Sequence, residues 1–305
     1  MSYNIWVLTN GKEKMMPGLL TRKESGYISG STLKLIACVA MFIDHFGLVV
    51  FPKKMIFRII GRLAFPIFAF FIAEGCKYTR NKLKHFLLIF SVGVIYFFFY
   101  LIAYGQAYPS IFLTFSVSIL NIYLIDALKR YAFLPKSHHE EDASPFVDGE
   151  RGGFASDTQP RVKLSRVVIA FSVMLIALGV SYIPFHFVVF DYGYIGMLAP
   201  VLMSLVDFSK IKVSDSLQFL DTVPTRLVLL AVALIGVAIK NPALKTEIFG
   251  FRFTIQVFNL CSLPLLALYN GKVGTKKLKY FFYAFYPVHL GVIMVIDYVI
   301  DILAK

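Results

Sequence analysis

The sequence predicts an all-α fold, a polytopic membrane helix bundle of about nine transmembrane helices with the N-terminus inside and the C-terminus outside. Three observations favour this class. Hydrophobic residues make up 58% of the 305 residues, more than in an ordinary soluble domain. Apolar runs long enough to cross a hydrocarbon core of about 30 Å recur along the chain. Basic residues concentrate in alternate connecting segments, which fits the positive-inside rule.

The first two predicted spans turn at residues 51–54 and contain several ionisable side chains. Residues 1–32 are expected to form an N-terminal cytoplasmic segment, and residues 33–305 the transmembrane domain. Ser29 offers a helix N-cap just before the first apolar run. An ionisable group at membrane depth costs at least a few kcal/mol unless it is paired, hydrated or used, so these two spans are where chemistry is expected.

Seven further spans are predicted. Their approximate bounds are 86–104, 111–128, 167–183, 188–206, 227–239, 248–269 and 280–303. Residues 130–165 are rich in charge, Gly, Ser and Pro and predict a flexible cytoplasmic loop that interrupts the domain. Its cluster at residues 138–142 could bind a metal, but solvated charge is the favoured interpretation. The three cysteines match neither a disulfide framework nor a zinc site, so no metal is expected.

The formal net charge of +13 raises the question of a nucleic-acid partner. No nucleic acid is expected, because the basic residues form no single stripe and no recognisable binding motif. They follow the predicted topology instead. The expected partner is the lipid bilayer, in the cytoplasmic (inner) membrane of the cell.

Lys34 and His45 lie on one face of the first predicted helix. They are separated by eleven positions, which at 100° per residue leaves only about 20° between them. The stripe that joins them is about 16 Å long, so a phosphate-bearing donor held by Lys34 could extend a thioester arm to the imidazole. Asp44 points about 100° away and is expected to bond a neighbouring helix.

Other polar groups are expected at similar depths, so that opposite charges gather in a hydrated pocket. We assign catalysis to His45, Asp44 and Arg62; donor binding to Lys34, Arg252 and His289; and acceptor binding to Asp191, Tyr192 and Gln256. For each residue the alternative is a polar clamp between helices. Glu74, near the inner surface, is expected in an interfacial pair.

His45 has the chemistry of a general base, because its unperturbed pKa lies near 6.5 and a neutral imidazole accepts protons. It would take the proton from an amine or hydroxyl that attacks a thioester carbonyl. Arg62 or a backbone donor would stabilise the oxyanion.

These residues belong to stretches in which the chain resembles the TraX family, membrane proteins associated with N-acetylation of conjugative pilin. The stretches are Leu33–Ile36, Phe42–His45, Arg58–Gly75, Asp191–Gly193, Leu268–Lys272 and Tyr286–His289. The longest of these stretches, Arg58–Gly75, is the most specific. The family is similar to transmembrane acyltransferases of the acyltransferase-3 kind, whose first helix carries a basic residue, ten positions and a His; here Lys34 stands for the commoner Arg.

The resemblance implies acetyl-CoA as a cytoplasmic donor and a protein or sugar acceptor on the outer side. The predicted function is therefore that of a membrane O- or N-acetyltransferase acting on an amine or hydroxyl, such as a pilin N-terminus or an envelope sugar. Two alternatives stay open. One is a transporter that uses the intramembrane His, Asp and Arg groups as a proton path, which the lack of inverted repeats weakens. The other is a pilus-assembly protein without catalysis.

Overall fold

Long apolar helices account for most of the described chain. The computed structural model describes residues 7–9, 12–14, 26–133, 163–209, 220–240, 245–248, 251–275 and 278–303. Within these residues, seven helical segments are long and apolar enough to cross a membrane, with Met55–Tyr78 counted as one segment, and two more are apolar but shorter. The all-α class and the membrane bundle predicted from the sequence are confirmed. The orientation of the termini stays a prediction, and the centre of the predicted 130–165 loop lies outside the described residues.

The elements are as follows in chain order. They are β1 (Val7–Thr9), β2 (Lys12–Lys14), α1 (Gly30–Val50), α2 (Met55–Gly61), α3 (Ala64–Tyr78), α4 (Lys82–Tyr104), α5 (Ile111–Phe133), α6 (Leu164–Phe187), α7 (Gly193–Leu205), α8 (Val223–Lys240), β3 (Lys245–Ile248), β4 (Phe251–Thr254), a 3-10 helix (Ile255–Cys261), α9 (Ser262–Ala267) and α10 (Lys279–Leu303). The strands form two short antiparallel hairpins, β1–β2 and β3–β4.

The chain divides into two compact units. The first comprises Met1–Phe71 and Ala238–Lys305, and the second comprises Ile72–Val237. In the first unit, α1 packs against α2 and α10. In the second unit, α5 packs against α4, α6 and α7. One helix therefore organises each unit.

The start of α1 is fixed by the predicted cap. The Ser29 hydroxyl accepts a hydrogen bond from the Thr32 backbone N–H at 3.3 Å, which satisfies one of the free N–H groups of the first turn. The Gly30 N–H donates to the Lys272 carbonyl oxygen at 2.8 Å. The Thr275 N–H donates to the Ser31 hydroxyl at 3.1 Å. The segment before α10 is thereby tied to the beginning of α1.

The second predicted span is broken into α2 and α3 at residues 62–63. Pro66 explains the break, because it has no N–H to give to the carbonyl of Arg62 four residues earlier and its ring crowds that carbonyl. The break places Arg62 at the end of α2, where its N–H approaches the Arg58 carbonyl oxygen at 3.3 Å. Met55–Tyr78 as a whole is long and apolar enough to cross a membrane, as the sequence predicted, and only the expectation of an unbroken helix was wrong. Pro66 was the signal for the break.

The packing of α5 uses small polar side chains. The Ser118 hydroxyl donates to the Met197 carbonyl oxygen of α7 at 2.8 Å, and the Asn121 amide donates to the Ser181 hydroxyl of α6 at 2.9 Å. Ser118 is fully buried and Asn121 nearly so. Small polar residues of this kind allow close helix approach and bond across helices in an apolar setting.

A network of buried ion pairs lies within the second unit. The Arg226 guanidinium donates to the carboxylates of Glu74 and Asp221. Lys77 Nζ lies 2.7 Å from Asp221 Oδ2. Glu74 is 4% exposed and Arg226 5%. Glu74 was expected in an interfacial pair, but it forms a buried one, because its partner comes from α8.

Asp207 extends this network just beyond the end of α7. Its Oδ1 lies 3.3 Å from Lys77 Nζ and accepts hydrogen bonds from the backbone N–H and hydroxyl of Ser209. Burial by itself raises the pKa of the Asp207 carboxyl, but Lys77 and the Ser209 hydrogen bonds outweigh burial and hold that pKa below its usual value. The Asp207 carboxylate is therefore charged wherever the protein is folded near neutral pH.

Three other predicted spans differ from the structure. Residues 188–206 were expected to form one span, but α7 is only 13 residues long, because residues 188–192 form a turn with Tyr192 in the left-handed region at φ 59°. Residues 248–269 were expected to be helical, but they begin in the β3–β4 hairpin. Apolar residues alternate with polar ones at 251–255, which is the period of a strand. The fifth span also runs further than the expected residue 183, because α6 continues through Pro184 to Phe187.

The ion-pair network gives the first prediction. We expect Arg226→Met to lower the free energy of unfolding by about 3–5 kcal/mol, because it removes the cation bonded to the buried Glu74 carboxylate and one of the two cations bonded to Asp221. Lys240→Met is the matched control, since Lys240 lies exposed at the end of the same helix and its loss should change the free energy by less than about 0.5 kcal/mol. Denaturant titration of the purified protein in detergent measures both. Equal effects of the two substitutions would contradict a stabilising network.

Candidate functional site

The structure brings His45 of α1 and His289 of α10 together. The ring centroids are 5.2 Å apart with an interplanar angle of 64°. His289 Nε2 lies 3.5 Å from His45 Nδ1. His289 is 3% exposed, whereas His45 is only partly buried. Of the two rings, His45 is the more exposed.

Backbone carbonyls determine which nitrogen of each ring carries the proton. His45 Nδ1 lies 2.9 Å from the Met41 carbonyl oxygen, and His289 Nδ1 lies 2.8 Å from the Phe285 carbonyl oxygen. A carbonyl oxygen only accepts, so each Nδ1 is the protonated donor when its ring is neutral. His289 Nε2 is then the acceptor that faces His45 Nδ1–H. His45 Nε2 keeps its lone pair, and no described residue donates a hydrogen bond to it.

Asp44 is bound by two arginines from α2. Both of its oxygens accept from Arg62 Nη2, at 3.2 and 3.1 Å, and Oδ2 also accepts from Arg58 Nη1 at 3.1 Å. The prediction that Asp44 bonds a neighbouring helix rather than His45 is confirmed. The arrangement combines two cations with one carboxylate, so the cluster of Asp44, Arg58 and Arg62 is positive overall.

Arg62 is held on both sides of its guanidinium. Its Nε donates to the Arg58 carbonyl oxygen at 3.2 Å while Nη2 bonds Asp44. Arg62 is 6% exposed. Its assignment to the oxyanion stays a prediction, whereas its structural role as a clamp between α1 and α2 is evident from these contacts.

Gly61 allows this clamp to form. A Cβ built at Gly61 would collide with the side chain of Asp44, including its carboxylate. Only glycine therefore lets α2 approach α1 closely enough for Asp44 to reach Arg62.

Lys34 lies near the beginning of α1 and is flanked by aromatic rings. Its Nζ sits 4.7 Å from the centroid of Phe71 and 5.8 Å from that of Phe282 of α10. Because Lys34 approaches Phe282 and His45 approaches His289, α1 and α10 run in the same direction. The stripe from Lys34 to His45 predicted on α1 therefore faces α10 at both ends.

Two other donor and acceptor assignments fall in the first unit. Gln256 lies in the 3-10 helix, where its Oε1 accepts from the Asn259 amide at 2.9 Å. Arg252 lies in β4 rather than in a helix, and its side chain is outside the described part of the chain. Its role in donor binding stays a prediction.

Asp191 and Tyr192 belong to the second unit, so their grouping with His45 stays a prediction. The Asp191 N–H donates to the Pro109 carbonyl oxygen at 3.4 Å, and the Thr114 hydroxyl donates to the Asp191 carbonyl oxygen at 3.0 Å. Asp191 thus sits beside the connector between α4 and α5. Tyr108 on that connector lies beside Tyr100, with ring centroids 5.4 Å apart and an interplanar angle of 41°.

The charge of Asp191 changes the pKa of the Tyr108 hydroxyl. The negative charge of Asp191 raises the pKa of the Tyr108 hydroxyl far above its usual value, and burial raises it further. The phenol therefore stays protonated at every physiological pH. Together these groups form an aromatic and acidic cluster at the end of α4.

Sequence reasoning missed Arg58 and the partnership of the two histidines. Arg58 and Arg62 are spaced i, i+4, so they share a helix face, and this spacing was a usable signal. The histidine pair joins residues separated by 244 positions, for which no local pattern exists.

Comparison with known proteins shows that the part of the chain containing His45 is similar to one protein family. A family model described as TraX protein matches residues 29–134. The resemblance to TraX is thus confirmed over this range. The matched segment extends from α1 to α5 and contains Lys34, Asp44, His45 and Arg62. Together with the apolar helices, the match indicates a multi-pass membrane protein.

Two curated relatives match shorter stretches. An uncharacterized protein of Rickettsia prowazekii (strain Madrid E) is 39% identical over 92 residues, which is 30% of this chain and 33% of the relative. A probable fimbrial assembly protein, FimC of serogroup H1, from Dichelobacter nodosus is 36% identical over 84 residues, which is 26% of this chain and 34% of the relative. The chain thus spans about a third of the length of the curated relatives it matches. No solved structure matches the chain.

Gly61 gives the second prediction. We expect Gly61→Ala to lower the free energy of unfolding by about 1–3 kcal/mol, because the added methyl group forces Asp44 away from Arg62. Gly179→Ala in α6 is the matched control, since a Cβ there meets nothing within 4 Å. Removing a mid-helix glycine should stabilise the control by about 0.5–1 kcal/mol. The same sign of change in both variants would refute the clamp.

The third prediction concerns Tyr108. Asp191→Asn should lower the pKa of Tyr108 towards its ordinary value. The substitution removes the negative charge that opposes formation of the phenolate. Alkaline titration followed by tyrosinate absorbance measures this shift as an earlier rise in signal. The difference should vanish in a Tyr108→Phe background. A difference that survives in that background belongs to another tyrosine and contradicts the prediction.

Proposed function

We propose that this protein is an integral membrane acyltransferase that moves an acetyl group from cytoplasmic acetyl-CoA to an amine or hydroxyl of an acceptor on the outer side. The observation that carries the proposal is His45, a partly buried imidazole whose Nδ1 is held by Met41 while Nε2 keeps its lone pair. A ring held in this way is ready to accept a proton at a fixed position.

The donor end of the proposal rests on Lys34. Its ammonium group lies on the same helix as His45, about 16 Å away along the axis. The rings of Phe71 and Phe282 lie beside it, so the cation is partly shielded from water, where its attraction for phosphate is stronger. In this proposal Lys34 binds a phosphate of the coenzyme, and the arm of the coenzyme extends along α1 to His45.

The proposed reaction is a single acyl transfer. His45 Nε2 removes the proton from the acceptor N–H or O–H as that atom forms a bond to the thioester carbonyl carbon. The carbonyl π electrons move to oxygen and give a tetrahedral oxyanion. When the carbonyl re-forms, the C–S bond breaks, and the thiolate of the coenzyme takes the proton from the His45 imidazolium. Protons and electrons balance, and His45 returns to its neutral form.

The positive cluster of Asp44, Arg58 and Arg62 supports the same step. Two arginines and one carboxylate leave a net positive charge beside the turn of α1 that contains Asp44 and His45, and in the proposed reaction the oxyanion develops near this turn. In a setting of low dielectric such a charge stabilises an oxyanion more than it would in water. Arg62 supplies this charge, and Asp44 holds the guanidinium in place.

The acceptor is assigned to a pilus or to the cell envelope. One curated relative is named a probable fimbrial assembly protein, which favours a pilus-related role. The same name favours the second candidate function, pilus assembly without catalysis. Catalysis by His45 distinguishes the two.

The fourth prediction tests transfer directly. With radiolabelled acetyl-CoA and membranes that contain the acceptor, His45→Ala should reduce transfer by about 10²–10⁴-fold, because the general base is lost. Lys34→Ala should weaken saturable binding of coenzyme A. His186→Ala is the matched control, since His186 is exposed at the end of α6 and should retain full transfer. Wild-type transfer by a folded His45→Ala protein would exclude the mechanism.

A further inference from the structure

We propose that His289 is the positioning residue for His45 and holds it in the tautomer that leaves Nε2 as the base. This inference rests on the proposed function and adds to it a residue that neither contacts the donor nor the acceptor. It replaces the expectation that His289 binds the donor.

Asp44 is the obvious alternative, because a carboxylate often orients a catalytic histidine. Its two oxygens instead bond Arg58 and Arg62, and adjacent positions on a helix lie about 100° apart around the axis. The structure places His289, not Asp44, opposite His45 Nδ1.

A chain of hydrogen bonds determines the direction of each proton. The Phe285 carbonyl oxygen accepts from His289 Nδ1–H at 2.8 Å, which leaves His289 Nε2 unprotonated. That nitrogen faces the Nδ1–H of His45, which is shared with the Met41 carbonyl oxygen. The proton of the neutral His45 is therefore kept on Nδ1 by two acceptors, and Nε2 is left as the base.

His289 is built to hold rather than to react. Its ring stacks on Phe285 with a centroid separation of 4.9 Å and an interplanar angle of 9°, and Tyr286 packs against its edge at 5.5 Å. With 3% exposure it is out of reach of a substrate. A ring so confined keeps one orientation, which is what a positioning group needs.

The contact between His45 and His289 also stabilises the protonated His45 that forms in the proposed reaction. When His45 takes a proton at Nε2, its positive charge spreads to Nδ1–H, and the bond to His289 Nε2 becomes charge-assisted and shorter than 3.5 Å. A neutral partner does this without a second charge in the hydrocarbon region, where each unpaired charge is costly. The histidine pair thus provides orientation at low electrostatic cost.

Nitrogen-15 NMR of histidine-labelled protein in lipid nanodiscs tests the arrangement without any need for turnover. Spectra of His45→Gln and His289→Gln assign the two rings among the six histidines. At a pH where both rings are neutral, the expected result is that both carry the proton on Nδ1. A His45 ring protonated on Nε2 would overturn the proposal.

The kinetics of two His289 variants provide a second test of the proposal. His289→Leu removes the acceptor and should lower kcat by about 10- to 100-fold, part of what general-base catalysis supplies, while KM for acetyl-CoA stays the same. His289→Gln carries an amide oxygen near the position of Nε2 and should recover much of the loss. Equal kcat for the Leu and Gln variants, or a change in KM alone, would overturn the positioning role. Full transfer by His45→Ala would instead overturn the proposed function, even if the tautomers were as expected.

Discussion

Each charged side chain that the helices of this protein bury needs a partner of opposite charge. This constraint shapes the packing of the described helices. In the first unit Asp44 joins α1 to α2 through Arg58 and Arg62. In the second unit Arg226 of α8 joins Glu74 and Asp221. Breaking one such pair leaves a buried charge uncompensated, at a cost of about 3–5 kcal/mol. The pairs therefore determine which helices can be neighbours within each unit.

The same constraint separates structural groups from reactive ones. A paired carboxylate or guanidinium is stabilised in its charged form and is a poor proton acceptor or donor. A histidine pays little to be buried in its neutral form, so it can lie at membrane depth and still exchange protons. His45 and His289 lie against each other, and His45 Nε2 accepts no hydrogen bond from any described residue. Our proposal therefore assigns proton transfer to His45 and helix clamping to Asp44 and Arg58, while Arg62 contributes both to the clamp and to the proposed oxyanion site.

Much of this could be predicted from the sequence, because it depends on local pattern. Apolar length and the Ser29 cap predicted α1, and helical periodicity predicted that Asp44 would bond a neighbouring helix rather than His45. Expectations that ignored local exceptions were wrong. Pro66 breaks the second span at Arg62, and the alternation at residues 251–255 forms a strand where a helix was expected.

The remaining features depend on contacts between distant parts of the chain. His289 meets His45 across 244 positions, and the partner of Glu74 lies 152 positions away in α8. Helix periodicity predicts which side of its own helix a residue occupies, but not which other helix packs against that side. For this reason the sequence named His289 as a donor-binding residue, whereas the structure places it against the proposed base. The tautomers of both rings follow only from the carbonyl oxygens that the fold brings to them.

The central claim is that the open nitrogen of His45 faces a space that a cytoplasmic coenzyme can enter. A cryo-electron microscopy structure of the protein in lipid nanodiscs with bound coenzyme A tests this most directly. The account predicts a phosphate of the coenzyme beside Lys34, its arm along α1, and its sulfur within about 4 Å of His45 Nε2, near the distance of a reactive complex. Coenzyme bound elsewhere, or acyl chains of lipid packed against His45 Nε2, would contradict it.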